Sequence, residues 1–113
     1  MTTITRFSQL SGPRQALVRL CQALNFGLVH SLDVRGGDPI FESNPLVLYD
    51  LKLDTDEGPR PEMATGDFEL SQEVRRLLLK LDELQDGWIE RIEVRAGIPR
   101  RVAVEAFHKG ARQ

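Results

Sequence analysis

Six places in this chain carry residue types that could do chemistry. The histidines are His30 and His108, and neither belongs to an Asp-His-Ser or Cys-His spacing that would prepare a nucleophile. His30 reads as a partly exposed strand residue. Cys21 falls on the apolar stripe of a helix, where a thiol packs rather than reacts. A single cysteine also excludes an intrachain disulfide framework and a thiolate metal cluster. "DTDEG" (Asp54 to Gly58) has the opening of a calcium loop but no third acidic ligand before its glycine. Thr65 stands where the bidentate glutamate is needed. The glycine-containing stretches "RGGDP" and "RAGIP" lead into strands, not helix N-termini, so they read as hairpin turns and not as phosphate cradles. The expectation is a protein with no catalytic, cofactor-binding or metal-ligating residues, and not an enzyme.

What remains is arginine. Arg35 and Arg95 end two similar strands, and Arg91 and Arg101 lie near the second of them. Arg60 sits between Pro59 and Pro61 in "GPRPE", where two prolines stiffen the chain and present the side chain, or simply stiffen a crossover. Trp88 opens the strand that Arg95 closes, and reads as core before interface edge. Charge is segregated. Asp54, Asp56, Glu57, Glu62, Asp67, Glu69 and Glu73 face Arg60 alone in residues 54–73, whereas the chain after Gly87 is mainly basic. A basic sheet face is one route to nucleic acid. Glu93 and Glu105 interrupt it, however, and no exposed aromatics alternate with the arginines as a stacking platform requires. Cross-strand Arg–Glu pairing is the plainer reading. The candidate partner-binding residues are therefore Arg35, Arg60, Trp88, Arg91, Arg95 and Arg101.

The elements that must position these residues are legible from their periodicity. Ser11 is an N-cap, with Pro13 in the first turn and Ala16, Leu17, Leu20, Cys21 and Leu24 at helical spacing up to Gly27. Ser71 opens a second helix with Val74, Leu77, Leu78, Leu81 and Leu84 in one stripe, up to Gly87. Strands follow each helix at Leu28–Arg35 and Trp88–Arg95. Each returns after a turn, through "IFES" and "RRVAVEAF", with Val102, Val104 and Ala106 directed inward in the latter. A further strand runs from Leu46 to Leu53, with Val47, Tyr49, Leu51 and Leu53 on one face. Residues 54–67 have no periodicity and read as an exposed loop.

Residues 10–40 overlay residues 70–100 without a gap. Leu10 meets Leu70, Ser11 meets Ser71, Leu24 meets Leu84, Arg35 meets Arg95, Gly37 meets Gly97 and Pro39 meets Pro99. The matches fall at the cap, the helix stripe, the strand core and the turn, and an ungapped register from cap to turn favours internal duplication over convergence of two helix–strand–turn units on the same local chemistry. The expected fold is α+β: two α-β-β units, in the order α-β-β-β-α-β-β, forming one mainly antiparallel sheet with both helices on one face and a pseudo-twofold internal repeat.

Composition sets the outer bounds. With 113 residues, 41% hydrophobic and 28% charged, the chain reads as a single globular domain over 1–113. Its net charge of −2 gives no global pull toward nucleic acid or anionic lipid. No apolar run reaches membrane length, "MTTITRFSQL" lacks the core of a signal peptide, and a cytoplasmic location without a membrane partner is expected. The element order resembles that of small secretion-chaperone-like proteins. That resemblance implies a cytoplasmic homodimer that binds other polypeptides. The expectation is a small interaction or accessory module, a homodimer or a subunit of a larger complex, binding a protein through an exposed sheet face or edge. Nucleic-acid binding by the basic C-terminal hairpin is the second reading.

Overall fold

The computed structural model describes residues 4–54 and 66–105. Two helices, α1 (Gly12–Leu24) and α2 (Gln72–Leu84), alternate with five strands: β1 (Gly27–Arg35), β2 (Asp38–Ile40), β3 (Leu46–Tyr49), β4 (Gly87–Arg95) and β5 (Ile98–Glu105). All the pairings are antiparallel, and the sheet runs β2-β1-β4-β5, with β3 sharing the β1 edge with β2. The fold class is α+β, as the element order predicts.

Each helix starts where its cap chemistry dictates. The Ser11 hydroxyl accepts from the Arg14 N–H and the Ser71 hydroxyl from the Val74 N–H, each satisfying one backbone donor that the first turn leaves unpaired. The apolar stripes then bury Leu17, Val18, Cys21 and Leu24 from α1, and Val74, Leu77, Leu78 and Leu81 from α2. They form one cluster with Val29, Leu32 and Val34 of β1 and Ile89, Ile92 and Val94 of β4. Both helices therefore cover the same face of the sheet. Ala16, placed in the stripe by its spacing, is exposed.

The pairing of β1 with β4 is close to symmetric. In the β1–β4 ladder, Gly27 faces Val94 and Val34 faces Gly87, and exchanging residues for their counterparts sixty positions away returns every pair but His30–Arg91. Both hairpin turns have two central residues with positive φ, Gly36 (59°) and Gly37 (80°) in one, Ala96 (54°) and Gly97 (75°) in the other. This is the primed turn that matches strand twist. Each turn then docks on the far helix: the Gly37 N–H donates to the Gln85 carbonyl, and the Gly97 N–H to the Asn25 carbonyl, both at 2.9 Å.

The sequence places the helix stops at Gly27 and Gly87. The chain instead reverses earlier, at Asn25 (φ 62°, ψ −63°) and Gln85 (φ 59°, ψ −78°), each donating its N–H back to the carbonyl four residues before. At Asn25 the Phe26 N–H bonds the Leu24 carbonyl at 2.7 Å, closing a γ-turn of the strained hand. Gly27 serves a different purpose. A Cβ there would lie 2.0 Å from the Leu48 carbonyl oxygen, so its absence lets β3 pair with β1.

The halves differ in three places. Arg14 is buried where its counterpart is Val74. It donates to the Gly37 carbonyl from Nε (3.1 Å) and Nη2 (2.8 Å) and pairs with Asp82, tying the first turn to both helices. The first return strand is not "IFES": β2 stops at Ile40, and Phe41–Ser43 forms a 3-10 turn that carries the chain into β3. Strand β3 itself ends at Tyr49 rather than Leu53, leaving Leu51 and Leu53 68% and 96% exposed. Finally, the N-terminal segment pairs with the approach to α2, through Phe7 N–H to the Phe68 carbonyl and Leu70 N–H to the Thr5 carbonyl. The Phe7 and Phe68 rings stack at 4.8 Å, and Arg19 lies 4.3 Å over Phe7.

Two tests follow from this scaffold. In urea unfolding, Gly37→Ala is expected to lose about 2 kcal/mol, because the turn needs positive φ and a Cβ would press on Arg14 at 3.0 Å. Gly36→Ala, with open space around it, should lose only about 0.5 kcal/mol, and Ala96→Gly should gain a similar amount. Equal losses at Gly36 and Gly37 would contradict the docked turn. Asp67 supplies the second test. The Arg6 guanidinium hydrogen bond, followed by the Ser8 N–H, holds its carboxyl down at about 2. A depressed carboxyl contributes stability above its unfolded value and loses it as pH falls through the folded one. NMR titration should place the Asp67 midpoint near 2 in the native chain, and back toward the ordinary carboxylate range in Arg6→Ala.

Candidate functional site

The helices cover one face of the sheet, and the site is on the other. On β1 and β4 the residues alternating with the core point outward, and their cross-strand partners form three rows. Leu48, Leu28, Glu93 and Arg101 make the first, and Leu46, His30, Arg91 and Ala103 the second. Ile40, Asp33, Trp88 and Glu105 make the third. No helix among the described residues covers them. Leu46, Leu48 and Tyr49 are 56%, 44% and 56% exposed, while Leu28, His30, Asp33 and Trp88 are half-buried. Single exposed apolar residues are ordinary, but adjacent ones on an open sheet face mark a surface that gains from being covered.

The first row opens into a groove of about 590 Å³ where Phe26, Leu28, Leu48 and Tyr49 meet Arg91 and Arg95. Asp50 and Glu93 are its carboxylates. Arg95 and Glu93 also line a neighbouring depression with Arg101. The fold thus brings Arg91, Arg95 and Arg101 to one part of the outer face. Glu93 and Arg101 are direct cross-strand neighbours, yet among the described residues Arg91, Arg95 and Arg101 make no ion pair. The expected cross-strand Arg–Glu pairing is not formed. Three unpaired guanidiniums remain, with their capacity for planar, bidentate contact with carboxylate or phosphate.

The other sequence candidates separate from this cluster. Arg35 also points outward, but β1 and β4 run antiparallel, so it lies at the opposite end of the face from Arg95. It pairs there with Asp33 (3.3 Å). Trp88, read first as core, stands outside the core cluster on the outer face, between Asp33 and Glu105. Arg60, the "GPRPE" segment, the "DTDEG" loop beyond Asp54, Ala106 and His108 lie outside the described residues. His30 has Leu46 and Arg91 as its cross-strand neighbours. The apolar members of the site (Phe26, Leu28, Leu46, Leu48 and Tyr49) went unassigned in the sequence. The available signal was the run "LVLY", apolar on both alternating faces where only Val47 reaches the core cluster.

Comparison of the chain with protein-family models, with curated proteins and with solved structures finds no match. No helix among the described residues is long and apolar enough to cross a membrane, and no group of three or more His, Cys, Asp or Glu side chains among them is placed to hold a metal ion.

Cys21, the one thiol, belongs to the core. Burial pushes its pKa up to about 12, which keeps it protonated and unreactive. Iodoacetamide should therefore leave the native protein unmodified at neutral pH and label Cys21 fully in denaturant. Rapid native labelling would show that α1 leaves the sheet.

Proposed function

We propose that this protein is a non-enzymatic interaction module that binds a protein partner through the uncovered outer face of its sheet. One observation carries the reading: Arg91 and Arg95, without an ion pair among the described residues, line one groove with half-buried Leu28 and exposed Leu48, next to exposed Leu46, and Arg101 follows Glu93 in the same row. Apolar area supplies the drive to associate, and a rim of cations selects what associates. The fitting partner is a polypeptide segment that offers an apolar strip flanked by carboxylates. The core-facing rows, by contrast, are occupied by the protein's own helices.

A second reading draws on the groove itself. Phe26 and Tyr49, far from the arginines in sequence, line it together with Arg91 and Arg95. Aromatic rings beside guanidiniums are the means by which single-stranded nucleic acid is held. The single groove is small for such a strand, and Asp50 and Glu93 oppose phosphate there, so the protein partner is preferred.

The two readings separate in one experiment. Native lysate is passed over immobilised wild type, Leu48→Asp, Arg95→Glu and, as a helix-face control, Lys80→Glu. A protein retained by wild type and Lys80→Glu, and lost from both outer-face variants, is the expected result. Retention by all four would overturn the outer-face reading. Salt-sensitive binding of a single-stranded oligonucleotide, lost in Arg91→Ala and Arg95→Ala, would instead favour nucleic acid.

A further inference from the structure

The two edges of the sheet are built differently. On the β1 side, β2 has three residues and β3 four, and the 3-10 turn Phe41–Ser43 and left-handed Asn44 break the line between them. Short, interrupted edges are poor templates for another strand. On the other side β5 runs eight residues from Ile98 to Glu105 and, among the described residues, pairs only with β4, so that none of them puts a strand on its outer edge. Pro99, which has no N–H to offer, sits at its beginning.

The side chains of this edge are self-complementary. Arg101, Ala103 and Glu105 lie on the outer face opposite Glu93, Arg91 and Trp88, and Val102 and Val104 lie on the helix side opposite Ile92 and Ile89. An antiparallel copy centred on Ala103 places Arg101 against Glu105, Val102 against Val104 and Ala103 against itself. Every contact is then either an opposite-charge or an apolar pair. The valines need such cover. They face the core side, as their alternation predicts, yet are 36% and 46% exposed and stand outside the buried core cluster. The same strip continues across a groove of about 360 Å³ between α2 and β5, where Leu79, 59% exposed, and Val102 are both at the wall.

We infer that the β5 edge is a self-association surface, on which a second copy of this chain pairs antiparallel about Ala103 and joins two five-stranded sheets into one. The inference rests on the reading of the protein as an interaction module and names the partner of its free edge. It also sets two outer faces side by side on one continuous sheet.

The register has a test that ordinary disruption cannot imitate. Arg101→Glu alone sets glutamate against glutamate twice per dimer, and Glu105→Arg alone sets arginine against arginine twice. Each should weaken dimerisation roughly tenfold or more. Mixing the two variants restores two opposite-charge contacts, so the mixture should dimerise when neither variant does. Light scattering coupled to size exclusion reads this against a chain mass of 12.8 kDa. Both side chains are exposed, and circular dichroism of each variant checks that the fold is kept. A monomeric wild type would give the edge to another occupant and overturn the inference. So would single variants that associate like wild type, or a mixture that stays monomeric. None of these results bears on partner loss in Leu48→Asp, so the edge and the outer face fail separately.

Discussion

Two hydrogen bonds hold the two halves of this molecule in register: the Gly37 N–H to the Gln85 carbonyl and the Gly97 N–H to the Asn25 carbonyl. Each runs from the hairpin turn of one half to the helix terminus of the other. A helix end leaves carbonyls unsatisfied, and a primed turn exposes an N–H. Here each half supplies what the other lacks. The arrangement requires positive φ at both partners, at Asn25 and Gln85 as well as in the turns. Backbone strain at the helix ends is thus tied to docking of the turns. Neither half could keep that geometry alone, because the group that completes it belongs to the other.

The shared core follows from that constraint. With the turns docked, β1 and β4 lie side by side in a ladder that is nearly symmetric, and both helix stripes fall on one sheet face. The departures from symmetry are confined to places where the two halves do different work. Arg14 reinforces the first turn, reaching Gly37, Asp38 and Asp82 from one buried guanidinium, while Val74 fills the corresponding place with carbon. The first half spends its return chain on two short strands and a 3-10 turn. The second half spends it on one continuous strand, and so has a usable edge.

Much of this scaffold was legible from local chemistry. Ser11 and Ser71 cap as expected, the stripes from Leu17 and Leu77 are buried, and the Gly37 and Gly97 turns have the conformation that glycine there implies. The failures share a physical origin: periodicity describes one strand but not its neighbours. Val47, Tyr49, Leu51 and Leu53 alternate well, yet β1 begins at Gly27 opposite Tyr49, so nothing remains for Leu51 to pair with. Val102 and Val104 face the right way but, on a strand at the edge of the sheet, stay outside the buried core. Trp88 reads as core because a lone aromatic at the start of a strand is usually buried, yet its place beside Ile89 puts it on the other face. Asn25 and Gln85 gave no sign of positive φ, since the glycines two residues on offered a simpler helix stop. Arg14 could have been noticed as the charged residue facing Val74 in the overlay.

The candidate site was legible only in part, for the same reason. The arginines could be assigned to the outer face from alternation alone. Their isolation could not, because Glu93 stands where pairing with Arg101 is expected and the guanidinium does not take it. The apolar half of the site comes from β3, which reaches the arginines only through β1. That matters for how the surface works. In the sequence the basic hairpin is a charged segment with two glutamates in it, a weak and solvated feature. In the fold Arg91 and Arg95 share a groove with Leu28 and Leu48, so on the proposed reading a partner that covers the leucines would also draw these arginines out of water. Cations that contribute little at an open surface then become selective, because leaving them unpaired in a dried interface is costly. In the proposed complex the leucines would set how strongly a partner is held, and the arginines which partner is held at all.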